Sequence, residues 1–362
     1  MTVNNINIAV IGASGYTGAD LVRLALRHPD ITIKGLVAKT HAGKAMAQVF
    51  PHLGGQGLPD LVDVEAVDWS VLDAVFCGLP HGTAHSIIAR LPERVKVIDM
   101  SADFRLRDPK TYEQWYGQPH SAPELLSQAV YGLTEHYREQ ITKARLVACP
   151  GCYPTATLMA LLPVIKAGAV SHEDLIIDAK SGVTGAGRAL RQNTLFSEAG
   201  EGLAPYAIAG HRHAPEIEQE LSLVAKGARA EGARTEGARA EGVRVNFTPH
   251  LVPMSRGELI TCHVRLEPGK SVEDVRQALA NAYENSPFVR LLEEGVVPAT
   301  QHVRGSNTCL IGVFADRIKG RTIIVSAIDN LVKGSAGQAL QNFNLMFGLD
   351  ETLGLEQLPL FP

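Results

Sequence analysis

The chain has little of what marks several protein classes. No apolar run approaches the ~20 residues that a bilayer-spanning helix needs, so no membrane partner is expected. Positive charge is not in excess: the 362 residues carry a formal net charge of −4. Lys and Arg are scattered, which removes the electrostatic footprint of a nucleic-acid binder. Cysteines number five, an odd count, and Cys77, Cys262 and Cys309 stand alone inside apolar runs. That excludes a disulfide framework and fits reduced thiols. The N-terminal residues lack the basic, apolar, small-residue order of a signal peptide, so a cytoplasmic location is expected. What is present is ordinary: 45% hydrophobic and 20% charged residues, enough for a sizeable core and for two domains.

The first segment, INIAVIGASGYTGADLVRLALRHPDITIKGLVA, is the most legible. Ile6–Ile11 is a β-rich run, Gly12, Gly15 and Gly18 follow, and Leu21, Val22, Leu24, Ala25 and Leu26 form the apolar face of a helix. A second strand begins at Ile31. This is a βαβ unit with a glycine-rich first turn. LDAVFCGLP and VKVIDMSA read as further strands, with the helix GTAHSIIARL between them, which predicts a doubly wound parallel sheet.

Past residue ~150 the texture changes. DLIIDAKSG and RTIIVSAIDN read as strands, and GELITCHVRLE alternates, with Ile260, Cys262, Val264 and Leu266 on one face. Ser271 and Asp274 have the spacing of a capping box. The fold class expected is α/β: a Rossmann-like doubly wound parallel sheet plus an α+β domain with a mixed or antiparallel sheet. A low-complexity repeat, residues 227–244, reads as a surface loop or a lengthened helix end without catalytic chemistry.

A strand, a glycine loop and a helix bring backbone N–H groups and a helix's positive end to one point, which suits a pyrophosphate. The second strand ends in Lys39, Thr40 and Lys44 with no acid to bind a ribose 2′-hydroxyl, so NADP is favoured over NAD.

Midway along the chain LVACPGCYPT places Cys149 and Cys152 two residues apart. A zinc site needs a second close pair, and none exists, so no metal is expected. A thiol–disulfide pair, two buried structural cysteines and a single nucleophile remain open. Pro154 belongs to the first turn of a helix, where the helix dipole and unpaired N–H groups favour a thiolate at Cys152. His211 and His213, with Glu216, offer an acid/base partner. Ser101 and Arg105, then Ser181, Thr184 and Arg188, then Arg256, lie in three loops suited to phosphate or carboxylate. A small anionic substrate is expected.

GASGYTG, SADFR, CPGCYPT, SGVTGAGR and GHRHAPEIEQ together resemble the N-acetyl-γ-glutamyl-phosphate reductases, relatives of aspartate-semialdehyde dehydrogenase. The resemblance runs from residue 6 to the C-terminal helix. It implies reduction of an acyl phosphate to a semialdehyde in arginine biosynthesis, with Cys152 as nucleophile and His211 as acid/base. It implies NADP binding by Gly12, Ser14, Gly15, Tyr16, Thr17, Gly18, Lys39, Thr40, Ser181, Gly182, Asn330 and Lys333. It implies substrate binding by Ser101, Arg105, Thr184, Arg188, His213, Glu216 and Arg256. Residues 1–148, completed by 330–362, are expected to bind the cofactor, and residues 149–329 to carry the chemistry and a homo-oligomer contact, dimeric or tetrameric. Cys149 stands where the family more usually has Asn. The competing readings are an aspartate-semialdehyde dehydrogenase or other acyl-phosphate reductase, a thiol–disulfide oxidoreductase, and a nucleotide sensor without turnover.

Overall fold

The computed structural model describes residues 5–230 and 242–361. Among these residues the chain divides into two units. One takes residues 1–151 and 335–357, the other 152–334 and 358–362.

The first unit is built on seven parallel strands: β1 (Ile6–Ile11), β2 (Ile31–Val37), β3 (Leu61–Val62), β4 (Ala74–Cys77), β5 (Lys96–Asp99), β6 (Ala129–Tyr131) and β7 (Leu146–Ala148). Their order is β3-β2-β1-β4-β5-β7-β6. Val10, Val75, Phe76, Val97, Ile98 and Val147 are fully buried, as expected where helices cover both faces of a parallel sheet. The strand order reverses at β1, which pairs with β2 on one side and β4 on the other. Such a reversal opens a crevice at the carboxyl ends of the strands, and the Gly12 turn lies there.

The helix Gly337–Met346 belongs to this first unit and is buried along its whole length. Its polar side chains are therefore committed to partners. Asn342 Nδ2 donates to the Gly132 carbonyl at 2.8 Å, and Thr134 Oγ1 donates to Asn342 Oδ1 at 2.7 Å. Gln338 Nε2 donates to the same carbonyl at 3.0 Å. These amides hold the returning chain to the segment just after β6.

The second unit has β8 (Leu175–Gly182), β9 (Ala204–Pro205), β10 (Val245–Val252), β11 (Glu258–Arg265), β12 (Val289–Leu291), β13 (Cys309–Ala315) and β14 (Arg321–Ile328). The order is β12-β13-β14-β11-β8-β10-β9. β11 runs antiparallel to both β8 and β14, while β8 and β10 are parallel, so the sheet is mixed. The helices Cys152–Lys166, Ala214–Ala230 and Val272–Tyr283 pack with this sheet. The first of them is apolar all round and buried on nearly every side, the pattern of a core helix. The expected capping box at Ser271 and Asp274 opens the third. On the alternate face Ile176, Leu259, Ile323 and Val325 remain only half-buried.

β10 contains Pro249, which hides this strand from a sequence reading. The Pro249 carbonyl accepts from Tyr206 on the β9 side. The missing N–H thus points toward a neighbour of only two residues, where its loss matters little. The helix Ala214–Ala230 extends into the repeat noted at 227–244; residues 231–241 of that repeat lie outside the described residues.

Candidate active site

In the first unit the glycine turn is dictated by close backbone approach. Gly12 has φ +86°, and a Cβ there would lie 2.4 Å from the Gly78 carbonyl oxygen. A Cβ on Gly18 would lie 2.3 Å from the Gly12 oxygen. A side chain at Gly12 would collide with the chain just after β4, and one at Gly18 would push the helix off the turn. Gly15 opens the helix Tyr16–Ala25 without a capping side chain, the arrangement that leaves first-turn N–H groups for a pyrophosphate. Ser14, Tyr16 and Thr17 lie in the same turn, and Ser335, where the chain re-enters this unit, donates to Thr17 Oγ1 at 3.5 Å. Lys39 and Thr40 are exposed in a short turn directly after β2. The turn therefore fits a dinucleotide, and the absence of an acid after β2 leaves room for a 2′-phosphate.

Ser101 and Arg105 also lie in the first unit, and both are buried in its framework. Ser101 donates its N–H and its hydroxyl to the Asp99 carboxyl, at 2.9 and 2.8 Å. Burial, opposed by those two bonds, pushes Asp99 up to about 7. Arg105 donates from Nε to the Cys149 carbonyl at 2.8 Å and from Nη2 to the Met100 carbonyl at 3.2 Å, so it pins the segment that leads into Cys152. The Cys149 thiol is buried, receives Asn342 Nδ2 at 3.6 Å, and is pushed up to about 12 by that burial. A thiol held protonated in this way is a poor nucleophile.

The boundary between the units falls between Gly151 and Cys152. Cys152 is the first residue of the helix Cys152–Lys166, with Pro154 in its first turn. Beside it runs the π-helical turn Val332–Ala336, where a Cβ on Gly334 would lie 2.7 Å from Cys152 Cβ. Only glycine lets that turn pass the thiol. Around the helix start the rings of Tyr153 and His211 lie 5.7 Å apart, Tyr206 and His211 5.5 Å, and His211 and His213 4.7 Å. Tyr206 Oη donates to Tyr153 Oη at 3.2 Å, and Tyr153 Oη donates to the His250 carbonyl at 3.3 Å. Burial and the neighbouring thiol and carboxyl groups push both phenols above their ordinary range.

His211 is held in one tautomer. The backbone N–H of His213 donates to its Nδ1 at 3.1 Å, so a neutral ring carries its proton on Nε2. Burial, with the neighbouring Arg212 charge, lowers its pKa to about 4, so the ring is neutral near pH 7. His213 and the buried Glu216 sit at the start of the helix Ala214–Ala230, whose positive end suits the carboxylate.

Three motifs far apart in sequence are stitched together in this unit. Gly182 N–H donates to the Gly257 carbonyl at 2.9 Å and Thr184 Oγ1 to the Ser255 carbonyl at 2.6 Å. Asn330 closes the knot, donating to Thr184 Oγ1 at 3.0 Å and accepting from Gly257 N–H at 2.8 Å. Ser181 is buried at the end of β8, Arg256 approaches Asp329 at 3.5 Å, and Arg188 is exposed. Asn330 and Lys333, expected beside the cofactor, thus belong to the second unit, with Lys333 fully buried and its Nζ 5.8 Å over the Phe288 ring. The residues expected around substrate divide likewise: Ser101 and Arg105 in the first unit, Thr184, Arg188, His213, Glu216 and Arg256 in the second. Among the described residues no group of three or more His, Cys, Asp or Glu could hold a metal ion, and no helix is long and apolar enough to cross a membrane.

Two neighbours of Cys152 escaped the sequence reading, Tyr206 and Glu258. Tyr206 stands in an irregular stretch and gave no signal. Glu258 did: continued back by two residues, the alternation of Ile260, Cys262 and Val264 puts an acid on the buried face of β11.

Family models match both units. Residues 7–144 match the semialdehyde dehydrogenase NAD binding domain, and residues 152–330 match the semialdehyde dehydrogenase dimerisation domain. A probable chloroplastic N-acetyl-gamma-glutamyl-phosphate reductase of Arabidopsis thaliana is 54% identical over 99% of this chain and 86% of its own length. An N-acetyl-gamma-glutamyl-phosphate reductase of Rhodospirillum rubrum is 52% identical over 99% of each. The chain belongs to the N-acetyl-gamma-glutamyl-phosphate reductase family.

The fold of this reductase-family chain is shared with aspartate semialdehyde dehydrogenases. Form II of Vibrio cholerae superposes with a TM-score of 0.69 at 19% identity, covering 95% of this chain and 99% of the other. The enzyme of Candida albicans, solved with NADP, gives 0.66 at 19% identity, covering 94% and 98%. Such low identity carries the fold and not the substrate. Membership in the reductase family thus separates the chain from the aspartate-semialdehyde reading. The burial of Cys149 separates it from a thiol–disulfide mechanism.

Proposed function

We propose that the chain catalyses the NADPH-dependent reduction of N-acetyl-γ-glutamyl phosphate to N-acetylglutamate 5-semialdehyde and phosphate, in arginine biosynthesis, through a thioester on Cys152. The observation that carries this reading is the cluster in the second unit. There Cys152 begins a buried helix beside the His211 ring, with the loops of Thr184, Arg256 and Asn330 tied together, in a chain about half identical to named reductases.

In this reading the Cys152 thiolate attacks the acyl carbon, the C–S bond forms and the C–O bond to phosphate breaks. Thr184, Arg188 and Arg256 receive the anionic ends of the substrate, with His213 and Glu216 bounding the site. Backbone N–H groups at the start of the Cys152 helix steady the oxyanion. NADPH, when bound, would supply the hydride that reduces the thioester. His211, neutral with its proton on Nε2, donates a hydrogen bond to the carbonyl oxygen as charge develops there. Collapse then releases the semialdehyde and the thiolate.

The first unit would hold the cofactor on the Gly12 turn, with Lys39 and Thr40 selecting the 2′-phosphate of NADP. The half-buried face of the second sheet, with Ile176, Leu259, Ile323 and Val325, serves homo-oligomerisation as a dimer or tetramer. We place the enzyme in the cytoplasm, where its thiol stays reduced.

The direct test runs the reaction backwards. N-acetylglutamate semialdehyde should drive NADP reduction only when phosphate is supplied. Reduction without phosphate, or with aspartate semialdehyde alone, contradicts the proposal.

A further inference from the structure

Asp329 is fully buried where β14 gives way to the π-helical turn Val332–Ala336. A buried carboxylate is costly unless it is paired and hydrogen-bonded, and this one is both. Its Oδ1 accepts the Leu331 and Val332 N–H groups at 2.8 and 3.0 Å. Its Oδ2 accepts the Gly305 N–H at 2.7 Å. Arg256 Nη1 stands 3.5 Å from Oδ1. The Asp329 main-chain carbonyl accepts the Gly334 N–H at 2.9 Å, the wide bond between residues five apart that marks a π-turn. One residue thus sets the path of the turn twice: its side chain holds Leu331 and Val332, and its carbonyl holds Gly334.

That path runs against Cys152. A Cβ on Gly334 would lie 2.7 Å from Cys152 Cβ, 3.2 Å from its Cα and 3.3 Å from Ile328 Cδ1. The turn therefore packs main chain against the first atoms of the cysteine. Contact at Cα and Cβ fixes where the side chain starts and narrows the staggered positions open to Sγ. Two features of Asp329 exceed what a turn needs, because an asparagine oxygen would serve the Leu331 and Val332 N–H groups as well. Its second oxygen holds the loop before β13 at Gly305, and its charge faces Arg256, the arginine assigned to an anionic end of the substrate. We propose that Asp329 is a positioning residue of this reductase. Through the Gly334 turn it sets where the Cys152 thiol stands, and through Arg256 it keeps the anion-binding guanidinium in register with that thiol. This rests on the reading of Cys152 as the nucleophile.

Position and reactivity of a thiol can be told apart. Attack on a bound acyl carbon needs the reacting atoms about 3–3.5 Å apart and aligned, and a misplacement of ~1 Å costs about 100-fold. Alkylation by iodoacetamide makes no such demand, because the small reagent diffuses to the sulfur wherever it stands. It reports the thiolate fraction and access to it. A lost positioning residue lowers the first rate and spares the second.

The test compares both reactions in the full-length enzyme. Acylation is read as the burst of phosphate from N-acetyl-γ-glutamyl phosphate without nicotinamide. Alkylation is read as iodoacetamide labelling of the Cys152 peptide, the other four cysteines being buried. Asp329→Ala and Gly334→Ala should each slow acylation about 100-fold and leave alkylation within about threefold of the parent. Asp329→Asn keeps an oxygen for the Leu331 and Val332 N–H groups but loses the charge facing Arg256. It should regain at least about tenfold of the acylation rate at saturating substrate, while the substrate concentration that half-saturates it stays raised. Acylation at the parental rate in either alanine variant would overturn the proposal. So would acylation and alkylation falling in step, which marks a loosened or covered thiol, or an Asp329→Asn enzyme no faster than Asp329→Ala. Should Asp329→Ala fail to fold, Gly334→Ala and the substrate dependence of Asp329→Asn decide in its place. Turnover surviving in Cys152→Ser would instead sink the nucleophile reading beneath it, whatever the other variants do.

Discussion

The two units build their sites in opposite ways. The glycine turn of the first is local: residues 12–18, one strand and one helix, with backbone N–H groups presented and side chains kept out. The thiol site of the second is assembled from five segments that meet only in the folded unit. Cys152, Tyr206, His211, Glu258 and Gly334 span most of its length, and each contributes a side chain or the lack of one. A backbone site tolerates changes around it but no Cβ within it. A side-chain site fails one function at a time. Substitutions can break or sharpen that contrast.

The largest effect should come from Cys152→Ser. It removes the proposed nucleophile and should lower turnover by at least about 1,000-fold while leaving nucleotide affinity, read by fluorescence titration, near the parental value. Activity surviving at a tenth of the parent would mean that the thiol is not the nucleophile. Next comes Gly12→Ala. The φ of +86° and the carbonyl 2.4 Å from the new Cβ should weaken dinucleotide binding by on the order of 100-fold. Iodoacetamide labelling of Cys152 should persist; its loss would show that the two sites are not separable.

His211→Asn should uncouple stability from acid. The His211 pKa lies below its ordinary value of 6.5, at about 4. The stability tied to the neutral ring is therefore present above pH 6.5 and drains away as pH falls toward 4. The parent should lose up to about 3 kcal/mol across that interval relative to the variant. Denaturant melts at pH 7 and pH 4.5 measure it, and parallel losses in both proteins would contradict the assigned burial. The smallest effect is expected at the exposed Lys39. Lys39→Ala should weaken NADPH binding about tenfold and leave NADH unchanged; equal weakening of both would move the 2′-phosphate contact elsewhere.

The same contrast decides what could be read from the sequence. Ile6–Ile11, the three glycines and the following helix are contiguous, so their roles show in spacing alone, as does the helix start at Cys152 with Pro154 behind it. β6, β7 and β12 have three residues each, too few for periodicity to register, and Pro249 disguises β10. The family resemblance assigns Asn330 and Lys333 to the cofactor, and the crossing back into the first unit comes at Ser335. Arg105 read as an anion ligand because arginine in a loop commonly is one, yet its Nε and Nη2 hold the main chain ahead of Cys152. The spacing of Cys149 leaves a redox pair and buried packing both open, and only the folded unit shows the thiol buried against Asn342. Glu258 was visible only to a reader who carried the β11 alternation two residues further back and asked why an acid should face a core.

The central claim is that Cys152 carries the acyl group. Enzyme mixed with N-acetyl-γ-glutamyl phosphate in the absence of any nicotinamide should release one phosphate per active site in a burst and then stall. Digestion and mass spectrometry should find the acyl group on the Cys152 peptide. Release of phosphate without a stall, or an acyl group on any other residue, would contradict the account.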